Sequence, residues 1–223
     1  MFTASLILCP AVLSGCSAQL GNAENTDAKS QEPISATEIK LNTAVTVTIY
    51  DSQDRDLLTE CMNLCDKYEK IFSRTASDSE LYQLNHRELA PVDGTEDTYQ
   101  VSDSLAELVS EGLNYSEMSE GAFDIAIEPL TSLWDFTAED PQVPKDSLIQ
   151  AALSKCDYHN VSVDKAKNEI TLKTDDTAIE LGAIAKGYIA DRLKDYLVSQ
   201  NVKSAIINLG GNVLCIGEKP DNS

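Results

Sequence analysis

A chain of 223 residues, 42% of them hydrophobic, can fill the core of one large domain or two small ones. Its 37 acidic residues against 17 basic leave a formal charge of −20, which argues against nucleic acid or an anionic lipid surface as partner, since both call for basic patches. Two histidines leave little room for a histidine-rich metal site, so a metal is expected to be a hard ion held by oxygens. One tryptophan and four phenylalanines argue against an aromatic-lined groove.

Residues 1–15, MFTASLILCPAVLSG, are uncharged and mostly apolar. The run is too short, and too broken by Pro10, to span a bilayer, but it suits the apolar core of a signal peptide. No Lys or Arg precedes it. Leu13-Ser14-Gly15-Cys16 then resembles a bacterial lipobox, making Cys16 the candidate lipidated residue. Residues 17–36 are polar and aperiodic, as in a flexible tether. The expected organisation is a signal peptide over 1–15, a tether over 16–37 and a domain over 38–223.

Within that domain, 38–50 alternates apolar and polar side chains and predicts one strand. The spacing of Leu57, Leu58, Cys61, Leu64, Cys65, Tyr68 and Phe72 predicts a helix over 55–72. Cys61 and Cys65 fall on its apolar face, as half a metal or redox pair or, more simply, as core. A short helix starts near Ser79, with Ser77 or Asp78 as its cap. Leu105, Leu108, Val109 and Leu113 predict a helix over 102–118, after which 125–130 re-enters the core and Trp134 and Phe136 pack its end. A helix over 147–154 and a hairpin from 161–163 and 169–172 follow.

The stretch 179–217 organises the rest. Glu180 is read as a strand end, followed by a turn at Gly182, a helix carrying Ile189, Leu193, Tyr196 and Leu197, then the strand Ala205-Ile206-Ile207 and a second turn at Gly210-Gly211. Glycine turns beside helices are often turn chemistry alone. Two of them around one helix, with Lys186 at the first, point toward a nucleotide pocket. Lys186 reads equally as a phosphate contact or as a surface lysine.

ELGAIAKGYIAD (180–191) followed by INLGGN (207–212) resembles the central motif of the ApbE family of FAD:protein FMN transferases. FSRTASDSELYQLN (72–85), SEGAFDIAIEPLTSLWDF (119–136) and the lipoprotein-like start strengthen the likeness. The resemblance implies an α+β domain with mixed sheets flanked by helices, like the T-fold-like family core. It implies an enzyme that moves FMN from FAD, with Mg²⁺, onto a Ser or Thr hydroxyl of a target protein and releases AMP. FAD contacts would come from Leu41, Thr75, Ala122, Phe123, Asp124, Glu180 and Lys186, and the backbone carbonyl of Ala183 would face Mg²⁺. Leu41-Asn42 stands where the family has Met-Gly, and Thr75 where it often has an aromatic residue. The family's other metal ligands lie beyond the Gly-Gly strand and have no counterpart here, so the sequence reads as the first two-thirds of such a domain. The implied location is the extracytoplasmic face of a bacterial membrane, through a lipid anchor, with membrane redox proteins as acceptors. The competing readings are an FAD-binding lipoprotein without transfer, an FAD pyrophosphatase, and a purely structural extracytoplasmic domain.

Overall fold

The protein's structure, a computed structural model, describes residues 32–134 and 138–219. Cys16, the signal-like run, most of the tether and Phe136 lie outside these residues. Two antiparallel sheets share one core with the helices. The first has the order β1-β2-β6-β7, from β1 Ile34–Lys40, β2 Thr43–Ile49, β6 Ala205–Leu209 and β7 Asn212–Ile216. The second has the order β3-β5-β4, from β3 Thr98–Gln100, β4 Val161–Asp164 and β5 Glu169–Leu172. The main helices are α1 Asp56–Phe72, α2 Glu80–Asn85, α3 Asp103–Met118, α4 Glu128–Thr131, α5 Asp146–Leu153 and α6 Gly182–Ser199. The α+β class expected from the sequence is present, and every described strand pairing is antiparallel.

Alternation in the strands decides which face each sheet buries. Val45, Val47 and Ile49 of β2 and Ala205, Ile207 and Leu209 of β6 point into the core. On the other face Thr46 and Thr48 pair across the strands with Thr37 and Ser35 through their hydroxyls. Helices α1 and α6 pack against each other over this sheet, burying Cys61, Cys65, Tyr68 and Phe72 from one and Ile189, Leu193 and Leu197 from the other.

Four local expectations are corrected. The stretch 38–50 is a hairpin and not one strand: Leu41 and Asn42 adopt left-handed φ values of 54° and 55°, forming a two-residue turn between β1 and β2. Leucine is an unusual residue there, so nothing in the sequence interrupted the alternation. Strand β1 also takes in Ile34 to Thr37, which read as tether. The cap of α2 is Ser79, buried and accepting from the Tyr82 amide at 3.2 Å, in place of Ser77 or Asp78. Glu180 ends no strand; it lies in an irregular segment before α6.

Cys61 and Cys65 are core residues. Burial pushes the Cys61 thiol up to about 12 and the Cys65 thiol up to about 11, so neither offers a thiolate near neutrality. Alkylation at about pH 8, followed by peptide mass mapping, is expected to label the exposed Cys215 and to spare both helix cysteines until denaturant is added. Labelling of Cys61 as fast as Cys215 would contradict this packing. A second expectation concerns Gly217, whose φ is +59° and whose missing Cβ would run into the Lys203 carbonyl. Gly217→Ala is expected to destabilise the fold by about 2 kcal/mol in urea unfolding, from strain and backbone overlap together.

Candidate functional site

A cleft of about 280 Å³ opens where the end of α1, the loop 73–75, the β1–β2 turn and the first turns of α6 meet. Its base is aromatic. Tyr68 and Phe72, one helical turn apart on α1, stack at 5.6 Å, and Tyr188 of α6 meets both edge-on at 5.8 and 5.5 Å. Of these three rings Tyr68 and Phe72 line the cleft, while Tyr188 packs behind them and faces the other side of α6. Tyr188 is fixed by donating its hydroxyl to Glu107 at 2.7 Å. Leu41 and Asn42 form one rim, and the Leu41 amide donates to Glu69 at 3.4 Å. Lys186, half-buried in the second turn of α6, reaches the opposite rim and forms no ion pair among the described residues.

The irregular segment before α6 is held from three directions. Asn85, the last residue of α2, accepts from the Ile179 amide at 2.8 Å and donates to the Ile179 carbonyl at 2.9 Å, so one side chain satisfies both backbone groups. The Glu180 amide donates to the Ile125 carbonyl at 2.8 Å. The Glu180 carboxylate turns back on its own chain: one oxygen accepts from the Gly182 amide at 2.7 Å, and the other is ion-paired with Arg74 Nε. Gly182 leaves room for this arrangement, because a Cβ there would stand 2.8 Å from that carboxylate and push it aside. Arg74 also faces Glu128 at 3.7 Å. Burial, ahead of the neighbouring charges, raises the Glu128 carboxyl above its usual range.

Of the residues expected to contact a ligand, Leu41, Thr75, Glu180 and Lys186 line this one cleft. Ala183 does not. It faces a second groove of about 450 Å³ between α3 and α6, beside Glu107, Glu111, Asp191 and Asn212. Ala122, Phe123 and Asp124 line neither hollow. Phe123 meets Tyr115 edge-on at 6.3 Å, and Asp124 spends one oxygen on the Ala126 amide at 2.7 Å and the other on the Tyr158 amide at 3.1 Å. Their link to the cleft is indirect, through Ile125 and its bond to Glu180. Gly210-Gly211 is the β6–β7 hairpin turn; it does not line the cleft but packs against Thr43, the residue after the β1–β2 turn. Sequence reasoning missed Arg74, Asn85 and Glu128 as individual residues, although all three stand inside the stretches that carried the resemblance.

The fold and the cleft define an α+β domain with a ligand-sized hollow at the start of a helix. The ApbE family model matches residues 41–223, and the chain belongs to the ApbE family. Among curated relatives, the FAD:protein FMN transferase of Klebsiella pneumoniae (strain 342) is 34% identical over 167 residues, 75% of this chain and 51% of its own. That of Treponema pallidum (strain Nichols) is 30% identical over 195 residues, covering 83% of this chain and 52% of its own. This chain therefore spans about half the length of these relatives. Among solved structures, the Pseudomonas stutzeri flavinyl transferase ApbE in its apo form aligns with a TM-score of 0.75 at 27% identity, over 88% of this chain and 65% of its own. The Vibrio cholerae flavin transferase ApbE, at 23% identity and a TM-score of 0.76, covers 86% and 61% and shares the fold.

Two outcomes follow from the geometry. Asn85→Ala leaves both Ile179 backbone groups without their partner, and is expected to cost about 2–3 kcal/mol of stability in denaturant unfolding. The second concerns pH. A carboxyl raised in the folded state binds its proton more tightly there than when unfolded, so its contribution to stability falls as pH rises from the ordinary glutamate value through the folded one. Glu128→Gln removes that loss. Its stability relative to the parent chain is expected to improve with rising pH across that window in unfolding curves; an unchanged difference would contradict the assignment.

Proposed function

We propose that this chain carries the flavin-binding part of an FAD:protein FMN transferase, which moves FMN from FAD onto a Ser or Thr hydroxyl of a target protein and releases AMP. The observation that carries the reading is the convergence of Leu41, Thr75, Glu180 and Lys186 on one cleft. These residues come from three stretches that span nearly two-thirds of the chain, and the names of the relatives point to the same chemistry. At about 280 Å³ the cleft lies at the low end of small-molecule sites, so it takes one part of the dinucleotide while the remainder runs along the surface. Leu41, Tyr68 and Phe72 offer apolar area to a ring, and Lys186 offers an uncommitted cation to a phosphate.

The reading includes Mg²⁺, which when bound would offset negative charge building on the pyrophosphate. Among the described residues no group of three or more His, Cys, Asp or Glu side chains is arranged to hold a metal. The residues present do not fit a complete site. That favours, as the second reading, a domain that binds FAD without transferring it. The proposed setting is the extracytoplasmic face of a bacterial membrane, with Cys16 lipidated and 17–33 as spacer, and an exported redox protein as acceptor. In this reading attachment is through the lipid; no helix among the described residues is long and apolar enough to cross a membrane.

Titrating FAD into the full chain while following flavin fluorescence tests the reading. Saturable quenching is expected, and Lys186→Ala is expected to weaken FAD about 10-fold while leaving riboflavin, which has no phosphate, unchanged. Transfer would appear as an FMN-sized mass gain on an acceptor polypeptide, in step with AMP release. Free FMN and AMP without an acceptor would point to hydrolysis, and no quenching by the folded chain would overturn the flavin reading.

A further inference from the structure

Glu180 is the acidic residue of the cleft closest in sequence to α6, and its two oxygens are both committed before any ligand arrives. One binds the Gly182 amide, and the other binds Arg74 from the loop after α1. The same guanidinium faces Glu128 at the start of α4 through Nη1. The three side chains are only 18–26% exposed, so their attraction is screened less than a surface pair's. Remove the arginine, and two carboxylates of like charge are left sharing a half-buried corner with nothing between them. Glu180, at the end of a flexible side chain, would then turn toward water.

We propose that Arg74 is a positioning residue: it fixes the Glu180 carboxylate against the first turn of α6, and through that carboxylate sets the affinity of the cleft for FAD. The inference rests on the flavin reading above. Two features independent of Arg74 converge on the same residue, namely the bare Cα of Gly182, which leaves room for the Glu180 carboxylate, and the Ile125 carbonyl, which holds the Glu180 amide. The guanidinium suits the task because its planar fork can meet Glu180 through Nε and Glu128 through Nη1 at once. A lysine in its place would present a single point of charge. Arg74 acts on the ligand through Glu180, so its loss and the loss of Glu180 should not be independent.

The test is a double-mutant cycle on FAD affinity, read by fluorescence titration of the full chain with circular dichroism as the folding control. Arg74→Gln is expected to weaken FAD about 10-fold, and Glu180→Gln by a similar factor. The double variant is expected to bind no worse than Glu180→Gln alone. Arg74→Lys is expected to recover only part of the loss, and if Arg74→Gln does not fold, Arg74→Lys takes its place in the cycle. Wild-type affinity in a folded Arg74→Gln, or losses that multiply in the double variant, would overturn the proposal and leave the flavin reading standing. Absence of FAD binding by the parent chain would overturn both.

Discussion

The site depends on how one irregular segment is tied down. Residues 179–181 belong to no strand, yet they carry an acidic residue of the cleft and lead into the first turn of α6. A buried segment with no ladder partner has to satisfy its backbone elsewhere. Here Asn85 takes both groups of Ile179, the Ile125 carbonyl takes the Glu180 amide, and the Glu180 side chain takes the Gly182 amide. Each partner comes from a different place: the end of α2, the loop after α3, and the segment itself. The three sequence stretches that look like one family motif are, physically, the three sides of one clamp.

That clamp explains a division of labour among the residues first taken as ligand contacts. Asp124 and its neighbours shape the loop that presents Ile125, and α3 comes close enough to do so because Gly112 leaves room for the Ile125 side chain. They support the cleft from behind. Leu41, Thr75 and Lys186 face it. Ala183 looks the other way, into the groove shared with Glu107, Glu111 and Asp191. Helix α6 therefore presents two different chemical faces within its first two turns, one framed by an aromatic base and a lysine, the other by carboxylates.

Much of the fold was legible in the sequence because periodicity and burial agree. The apolar stripes of α1, α3 and α6, the alternation of β2, β4 and β5 and the β-branched run of β6 predict elements close to those observed. Where the reading failed, a local signal was missing. Leu41-Asn42 turns the chain with left-handed φ values but carries no glycine or proline, so a hairpin passed for a strand. The site was legible only in part, for a different reason. Asn85 acts through Ile179, 94 positions away, and Arg74 through Glu128 and Glu180, 54 and 106 positions away, and no spacing rule encodes such pairings. The stack of Tyr68 and Phe72 was read as core, which it is, and its outer edge is also the base of the cleft.

The central claim is that the flavin nucleotide occupies the cleft framed by the β1–β2 turn, the loop after α1 and the start of α6. Hydrogen–deuterium exchange of the full chain with and without FAD tests it most directly. The account predicts slower exchange at residues 41–42, 73–75 and 180–186 on FAD addition, with the β4–β5 turn at 165–168 unaffected. Protection confined to the opposite groove, around Glu111, Asp191 and Asn212, would contradict it.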